Sequence, residues 1–257
     1  MTGPSRRAAP LPLAFSLALC LAGCATTAAI LPPEEPAMHA VSEFSDDDYV
    51  ARAPDPWEGF NRRMYKFNYH FDKYVFLPVV SGYEFITPTV VQEGVTHFFN
   101  NVGEVRTLYN SLFQLKAEKS LITLGRFVTN TTLGIGGLFD PATSFGLQQQ
   151  KEDFGQTLGV WGVGTGPYLV LPILGPNTVR SAGGFAVDTG IRYAILSAIG
   201  PFANIQGGTG IQAGISGLEA IDMRHQETFR YYESDNPFEY YLVRFLYREK
   251  RELAIGK

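Results

Sequence analysis

Residues 55–78, DPWEGFNRRMYKFNYHFDKYVFLP, decide how the fold is read. Asp55 and Pro56 supply a cap and a helix-compatible proline, so a helix is predicted to begin near Trp57. Phe60, Met64, Phe67, Phe71 and Tyr74 or Val75 then recur at steps of three and four residues. Side chains at those steps share one helical face, so the stretch is an amphipathic helix. Pro78 is expected to end it.

The same period returns downstream. Val91, Val95, Phe98, Phe99 and Val102 follow Pro88 and predict a second helix. Val105, Leu108, Tyr109, Leu112 and Phe113 predict a third, and Leu121, Ile122, Leu124, Phe127 and Val128 a fourth. Leu218, Ile221, His225 and Phe229 fall on one face, and Pro237 is placed to open a last helix carrying Phe238, Tyr241, Leu242, Phe245 and Leu246. Alternating strand patterns are scarce, and Tyr168–Leu171 is the best short candidate. The expected fold class is mainly α, with Gly-rich irregular segments and at most a small hairpin.

Charge is spread unevenly. The chain of 257 residues is 18% charged, against about 25% in an ordinary soluble domain. Residues 127–218 carry seven charges in 92 positions, whereas residues 24–126 carry 22 in 103. Phe154–Val179 and Tyr193–Leu218 hold no charge over 26 residues each. A fully solvated enzyme fits this poorly. A disordered chain is excluded by 45% hydrophobic and 13% aromatic residues. A net charge of −4 argues against a nucleic-acid binder, which needs a basic face.

Neither charge-free stretch has the composition of a spanning helix. Phe154–Val179 has six glycines and three prolines, and Tyr193–Leu218 has six glycines and Pro201. Bare irregular backbone cannot face lipid, because its peptide groups would go unpaired. Two readings stay open: a partly embedded, re-entrant domain with an internal cavity, or a soluble domain with apolar, glycine-rich loops. Residues 125–190 hold 14 glycines in 66, about three times the usual frequency. Such glycines mark bends or close approaches of backbone.

The N-terminus reads as an address. Arg6 and Arg7 precede the apolar run Ala8–Leu21, which ends in Leu21-Ala22-Gly23-Cys24. That is the layout of a secretory signal, and the last four residues resemble the bacterial lipobox. Residues 1–23 are thus expected to be a lipoprotein signal peptide, with Cys24 the lipidated residue. Several acyl chains give stable anchoring where one is marginal. Ala25, in place of an Asp, points to the outer membrane. With Cys20 removed and Cys24 acylated, no thiol remains for catalysis or metal ligation. Residues 24–54, rich in proline and acid, read as a flexible lipidated tether. The domain is then expected over residues 55–250, with a C-terminal tail at 251–257.

Catalytic chemistry is not evident. His39, His70, His97 and His225 share no ligand-like spacing, so no metal is expected. Gly214-Ile215-Ser216-Gly217 falls one residue short of a nucleophile elbow, and no phosphate-binding loop is present. Glu152 and Asp153 sit in a hydrophilic run and read as a solvated turn. No catalytic residue, metal or cofactor is assigned, and an enzyme is not expected.

Three blocks carry a family resemblance. Residues 55–68, DPWEGFNRRMYKFN, resemble the signature D-P-x-E-x-x-N-R-x-x-[FY]-x-[FY]-N of the MlaA (VacJ) lipoproteins. Residues 126–140, RFVTNTTLGIGGLFD, and 154–176, FGQTLGVWGVGTGPYLVLPILGP, are similar to that family's second and third blocks. Residues 194–217 match no block. The resemblance implies an outer-membrane lipoprotein that forms a helical ring in one membrane leaflet around an amphipathic channel. It implies removal of misplaced phospholipid from the outer leaflet and delivery to a periplasmic carrier, MlaC, with a trimeric porin as outer-membrane partner.

Elementary physics agrees with that role. A headgroup crossing hydrocarbon costs several kcal/mol or more, and a polar path lined by protein removes much of the cost. Without a nucleotide site, direction must come from leaflet imbalance or an energised partner. Candidate channel or hinge residues are Asn130, Gly134, Gly137, Gly155, Gly159, Gly164, Gly166 and Pro167. The alternative is that these glycines only permit tight helix packing. Asn61, Arg62, Tyr65 and Asn68 lie on the polar side of the first helix. They either line the channel or tie that helix to its neighbours. The competing function class is a scaffolding lipoprotein with no transport activity.

Overall fold

The computed structural model describes residues 55–199, 208–233 and 238–256. The signal sequence, Cys24, the tether, Pro237 and residues 200–207 of the stretch 194–217 lie outside the described residues, while 194–199 and 208–217 are helical. In chain order the elements begin with helix α1 (Glu58–Phe71), a π-helical turn (Asp72–Phe76), α2 (Leu77–Ile86), α3 (Thr89–Phe113) and α4 (Ala117–Thr132). Short helices α5 (Pro141–Ser144) and α6 (Phe154–Val160) precede strands β1 (Tyr168–Leu171) and β2 (Gly175–Thr178). Helices α7 (Val179–Ile199), α8 (Gly208–Gln226) and α9 (Glu239–Ile255) follow. The fold is mainly helical with one small hairpin, and β1 occupies the stretch the sequence marks as a strand. The two strands are antiparallel, with Tyr168 opposite Thr178 and Leu171 opposite Gly175.

Several boundaries differ from expectation. Pro78 does not end the first helical run; it sits in the first turn of α2. There a missing N–H is harmless, and the preceding π turn already shifts the bonding, with the Leu77 N–H donating back to Asp72. The run ends at Ile86, where Thr87 is extended ahead of Pro88. The second and third patterns merge into the single 25-residue helix α3, because nothing between Val102 and Val105 breaks it. Phe229 falls beyond the end of α8 at Gln226. Position 250 is no boundary either, since α9 continues to Ile255.

Helix α3 packs along α4, α6 packs on α7, α8 lies against α2 and α3, and the hairpin rests on α1 and α9. An aromatic core joins the last three. Tyr65, Tyr168, Val170, Tyr240 and Tyr241 are buried there, with Met64, Tyr231, Tyr232, Phe238, Val243 and Tyr247 packed around them.

Taken together, the buried side chains are mostly polar. Among the described residues, 24 buried side chains are polar or charged and only eight are apolar or aromatic. Phe60, Phe67, Tyr74 and Val75, most of the apolar stripe of the first pattern, are exposed, whereas Asn61, Asn68 and Asp72 are buried. Helix α4 repeats this: Leu121, Leu124 and Val128 are exposed, while Ser120, Thr123, Arg126 and Asn130 face inward. Such an arrangement inverts the rule for water-soluble interiors.

Candidate functional site

Two asparagines on one face of α1, two helical turns apart, grip the free edge of β1. The Asn61 amide donates to the Tyr168 carbonyl at 3.0 Å and accepts from the Val170 N–H at 2.8 Å. The Asn68 amide donates to the Leu171 carbonyl at 2.9 Å and accepts from the Ile173 N–H at 2.7 Å. These side chains act as a substitute strand, pairing backbone that a two-stranded sheet would leave open. Asn68 also holds Ile173 at φ 68°. A β-branched residue in that region stores about 1–3 kcal/mol of strain.

Tyr65 stands between the two clamps. Its ring meets Tyr231, Tyr232 and Tyr240 edge-on at 4.9–5.7 Å, and its hydroxyl donates to Glu239 Oε1 at 2.6 Å. Burial, then the Glu239 carboxylate, pushes the Tyr65 hydroxyl well above its ordinary pKa, so it stays a donor. Arg62 bridges Glu58 at 2.8 Å and lies over the Tyr240 and Tyr241 rings. Thus Asn61, Arg62, Tyr65 and Asn68 tie α1 to the hairpin and α9.

The second joint is built around Asn130. Its amide donates to Asp140 Oδ1 at 2.9 Å and accepts from the Ala142 N–H at 3.0 Å. Buried Arg126 donates to Glu104 Oε1 at 2.7 Å and Asp140 Oδ2 at 3.0 Å, and Asp140 caps α5. Burial alone would raise the Asp140 carboxyl; hydrogen bonds from Thr143, Arg126 and Asn130 outweigh it and hold the pKa at about 2. A Cβ on Gly134 would fall 2.4 Å from the Asn130 and Phe139 carbonyl oxygens. Gly137 has φ +92° and leaves no room against Asn101. The connection from α4 to α5 is therefore closed tightly on itself.

The third joint is the α6–α7 crossing. Gly155 and Gly184 bring the two backbones together; a Cβ on Gly184 would lie 2.2 Å from the Gly155 nitrogen. Gly159 makes room for Ile255 of α9. Gly166, with φ +70°, turns the chain beside Val179, and the Pro167 carbonyl accepts from the Val179 N–H at 3.1 Å. Gly164 has no neighbour within 4 Å. Most of these glycines sit where backbone comes close to other atoms. Asp153 caps α6 and accepts from Arg251 at 2.5 and 2.7 Å. Residues 251–255 are thus part of helix α9, with Arg251 and Ile255 packed on α6.

The sequence reading missed several interior charges. Glu152 is no solvated residue: it is 2% exposed and is held by Gln114 at 3.0 Å and by Lys119. Asp188 accepts from Tyr109, Asn110 and the Phe154 N–H at 2.6–3.1 Å. Glu104 carries no motif, and its partner Arg126 lies on the next helix. Only the RF…D spacing of Arg126 and Asp140 hinted at this knot. No group of His, Cys, Asp and Glu among the described residues is arranged to hold a metal ion. No described helix is long and apolar enough to cross a membrane.

All three joints fall inside one family match. The model described as MlaA lipoprotein matches residues 53–254. This chain belongs to the MlaA lipoprotein family. An intermembrane phospholipid transport system lipoprotein MlaA of Haemophilus influenzae is 32% identical over 193 residues, 73% of either chain. An uncharacterized protein of Rickettsia prowazekii is 45% identical over 126 residues, 49% of this chain and 50% of that one. The chain spans about half the length of the rickettsial relatives it matches. A solved structure reported under "Structural basis for maintenance of bacterial outer membrane lipid asymmetry" is 30% identical with a TM-score of 0.62. It aligns over 79% of this chain and 100% of its own. That likeness extends the MlaA assignment from sequence to fold.

Proposed function

We propose that this chain is an outer-membrane lipoprotein, anchored at Cys24 on the periplasmic side. On this reading it moves misplaced phospholipid out of the outer leaflet for retrograde transport, preserving lipid asymmetry. The observation that supports this best is the reversed polarity: polar and charged side chains inside, large apolar side chains such as Phe85, Ile86, Leu115 and Leu121 outside. An apolar exterior with no spanning helix among the described residues suits a body seated in one leaflet. A polar interior suits passage of a headgroup, since it lowers the cost of leaving water. The names of relatives, an intermembrane phospholipid transport lipoprotein among them, point the same way.

The finer parts of this reading are a helical ring, a central amphipathic channel, a soluble carrier of the MlaC kind and a trimeric porin neighbour. Asn130, Gly134, Gly137, Gly155, Gly159, Gly164, Gly166 and Pro167 are its proposed channel or hinge positions, with Asn61, Tyr65 and Asn68 fixing the adjoining wall. The test is deletion of the gene followed by chemical labelling of phospholipid at the cell surface. Surface phospholipid should rise and should fall again on complementation. An unchanged outer leaflet would leave only a scaffolding role. Cys24→Ala should keep the protein out of the outer membrane; normal lipidation of that variant would refute the anchor.

A further inference from the structure

A cavity of about 390 Å³ opens between the π-helical turn, the hairpin turn, the segment after α8 and one face of α9. Phe71, Phe76, Leu174, Phe229, Val243 and Leu246 give it apolar walls. At about 30 Å³ for a group the size of a water, it accepts roughly a dozen methylenes. Two uncommon backbone features shape it. One is the π turn Asp72–Phe76, and the other is Ile173 with φ 68°, held by Asn68. Both kinds of feature concentrate at ligand sites.

Four charged residues line this groove, and two of them neutralise each other. Arg224 grips Asp72 with bonds of 2.6 and 2.8 Å. Glu227, which also lies near Arg224 and accepts from the Phe229 N–H at 3.2 Å, and Lys250 are both exposed and set one negative and one positive group on the same apolar groove. A zwitterionic headgroup carries the matching pair, a phosphate for Lys250 and an ammonium for Glu227. A purely anionic headgroup would satisfy Lys250 and leave Glu227 opposed.

We propose that this groove binds one acyl chain of a zwitterionic phospholipid, with its headgroup set between Glu227 and Lys250. The proposal rests on the phospholipid-transport reading and adds to it a holding site and a headgroup preference. Seating one chain while the headgroup stays at the rim would give the lipid a defined stop.

The experiment uses the full lipidated protein in detergent, incubated with phosphatidylethanolamine or phosphatidylglycerol of identical acyl chains, and native mass spectrometry of the complexes. The wild type should retain phosphatidylethanolamine about threefold better, as expected for one solvent-exposed charge contact. Leu174→Gln and Leu246→Gln change half-exposed wall residues without touching the buried core. Each should cut retention about tenfold, the loss of one buried leucine contact. Glu227→Gln, which removes the charge that the ammonium meets, should abolish the preference. Retention unchanged in both wall variants, equal retention of the two lipids by the wild type, or a preference that Glu227→Gln leaves intact overturns the groove. Occupation by an apolar peptide in place of lipid does the same. The deletion assay reports separately: an unaffected outer leaflet sinks the transport reading, whereas wild-type transport alongside wall variants that bind normally sinks the groove alone.

Discussion

The α1–hairpin–α9 joint and the α3–α4 pair solve the same packing problem in opposite ways. The first buries tyrosines and Val170 in an aromatic core, with Asn61 and Asn68 at its edge and Glu239 and the Arg244–Asp55 ion pair buried beside it. The second buries Glu104, Thr107, Ser120, Thr123, Arg126 and Asn130 and leaves Leu121, Leu124 and Val128 outside. One is held mainly by packed aromatic rings, with a few charged groups among them. The other is held by hydrogen bonds and ion pairs, which suits a body whose surroundings are partly hydrocarbon, where outward-facing leucines cost nothing. The contrast says that the polar seam and the apolar core answer to different mutations.

The largest effect is expected in the seam. Arg126→Met strands Glu104, whose side chain is 1% exposed, and should cost about 3–5 kcal/mol. Loss of folded protein in limited proteolysis checks it, and adding Glu104→Leu should recover part of the loss. Gly184→Ala drives a Cβ against the Gly155 backbone and should cost about 1–3 kcal/mol in denaturant titration. A similar cost for Gly164→Ala, where nothing lies nearby, would break the claim that close approach is what matters.

On the other side of the comparison, Asn68→Ala leaves the Leu171 carbonyl and the Ile173 N–H unpaired. The expected cost is about 1–3 kcal/mol. Hydrogen exchange should rise at 171–173 while α3 and α4 stay protected. Asp140 provides a pH handle on the seam. Its folded pKa of about 2 lies below the ordinary 3.8, so its contribution is fully present above pH 4 and is lost as pH falls toward 2. Asp140→Asn should flatten that acid limb; an unchanged limb would assign the acid sensitivity elsewhere. The smallest effect belongs to the outside. Leu121→Ser should change stability in detergent by no more than about 0.5 kcal/mol, while weakening partition into vesicles.

Much of this was legible in the chain. Tyr168–Leu171 reads as a strand because its short apolar run is bounded by Pro167 and Pro172. The three-and-four period finds the helices of residues 55–132. It gives a face, however, and not which face is inside: Asn61 and Asn68 mark a polar side whose partner, β1, arrives only more than a hundred residues later. Pro78 misleads because the π turn that accommodates it has no composition signal. Glu152 misleads because hydrophilic runs are usually solvated, and its partner Lys119 lies 33 residues away. The glycines of the third block were visible as a cluster. Their contacts with Ile255 and Gly184 were not, since these depend on helix crossings.

The measurement that bears most directly on the reversed polarity is spin-label accessibility in vesicles. Labels at Phe85, Leu121 and Val128, one at a time on the lipidated full-length protein, are compared with labels at Lys66 and Glu118. Collision with lipid-soluble oxygen should dominate at the three apolar positions, and collision with a water-soluble nickel chelate at the two charged ones. Equal nickel accessibility at all five positions would mean that the apolar exterior faces water, contradicting a body seated in one leaflet.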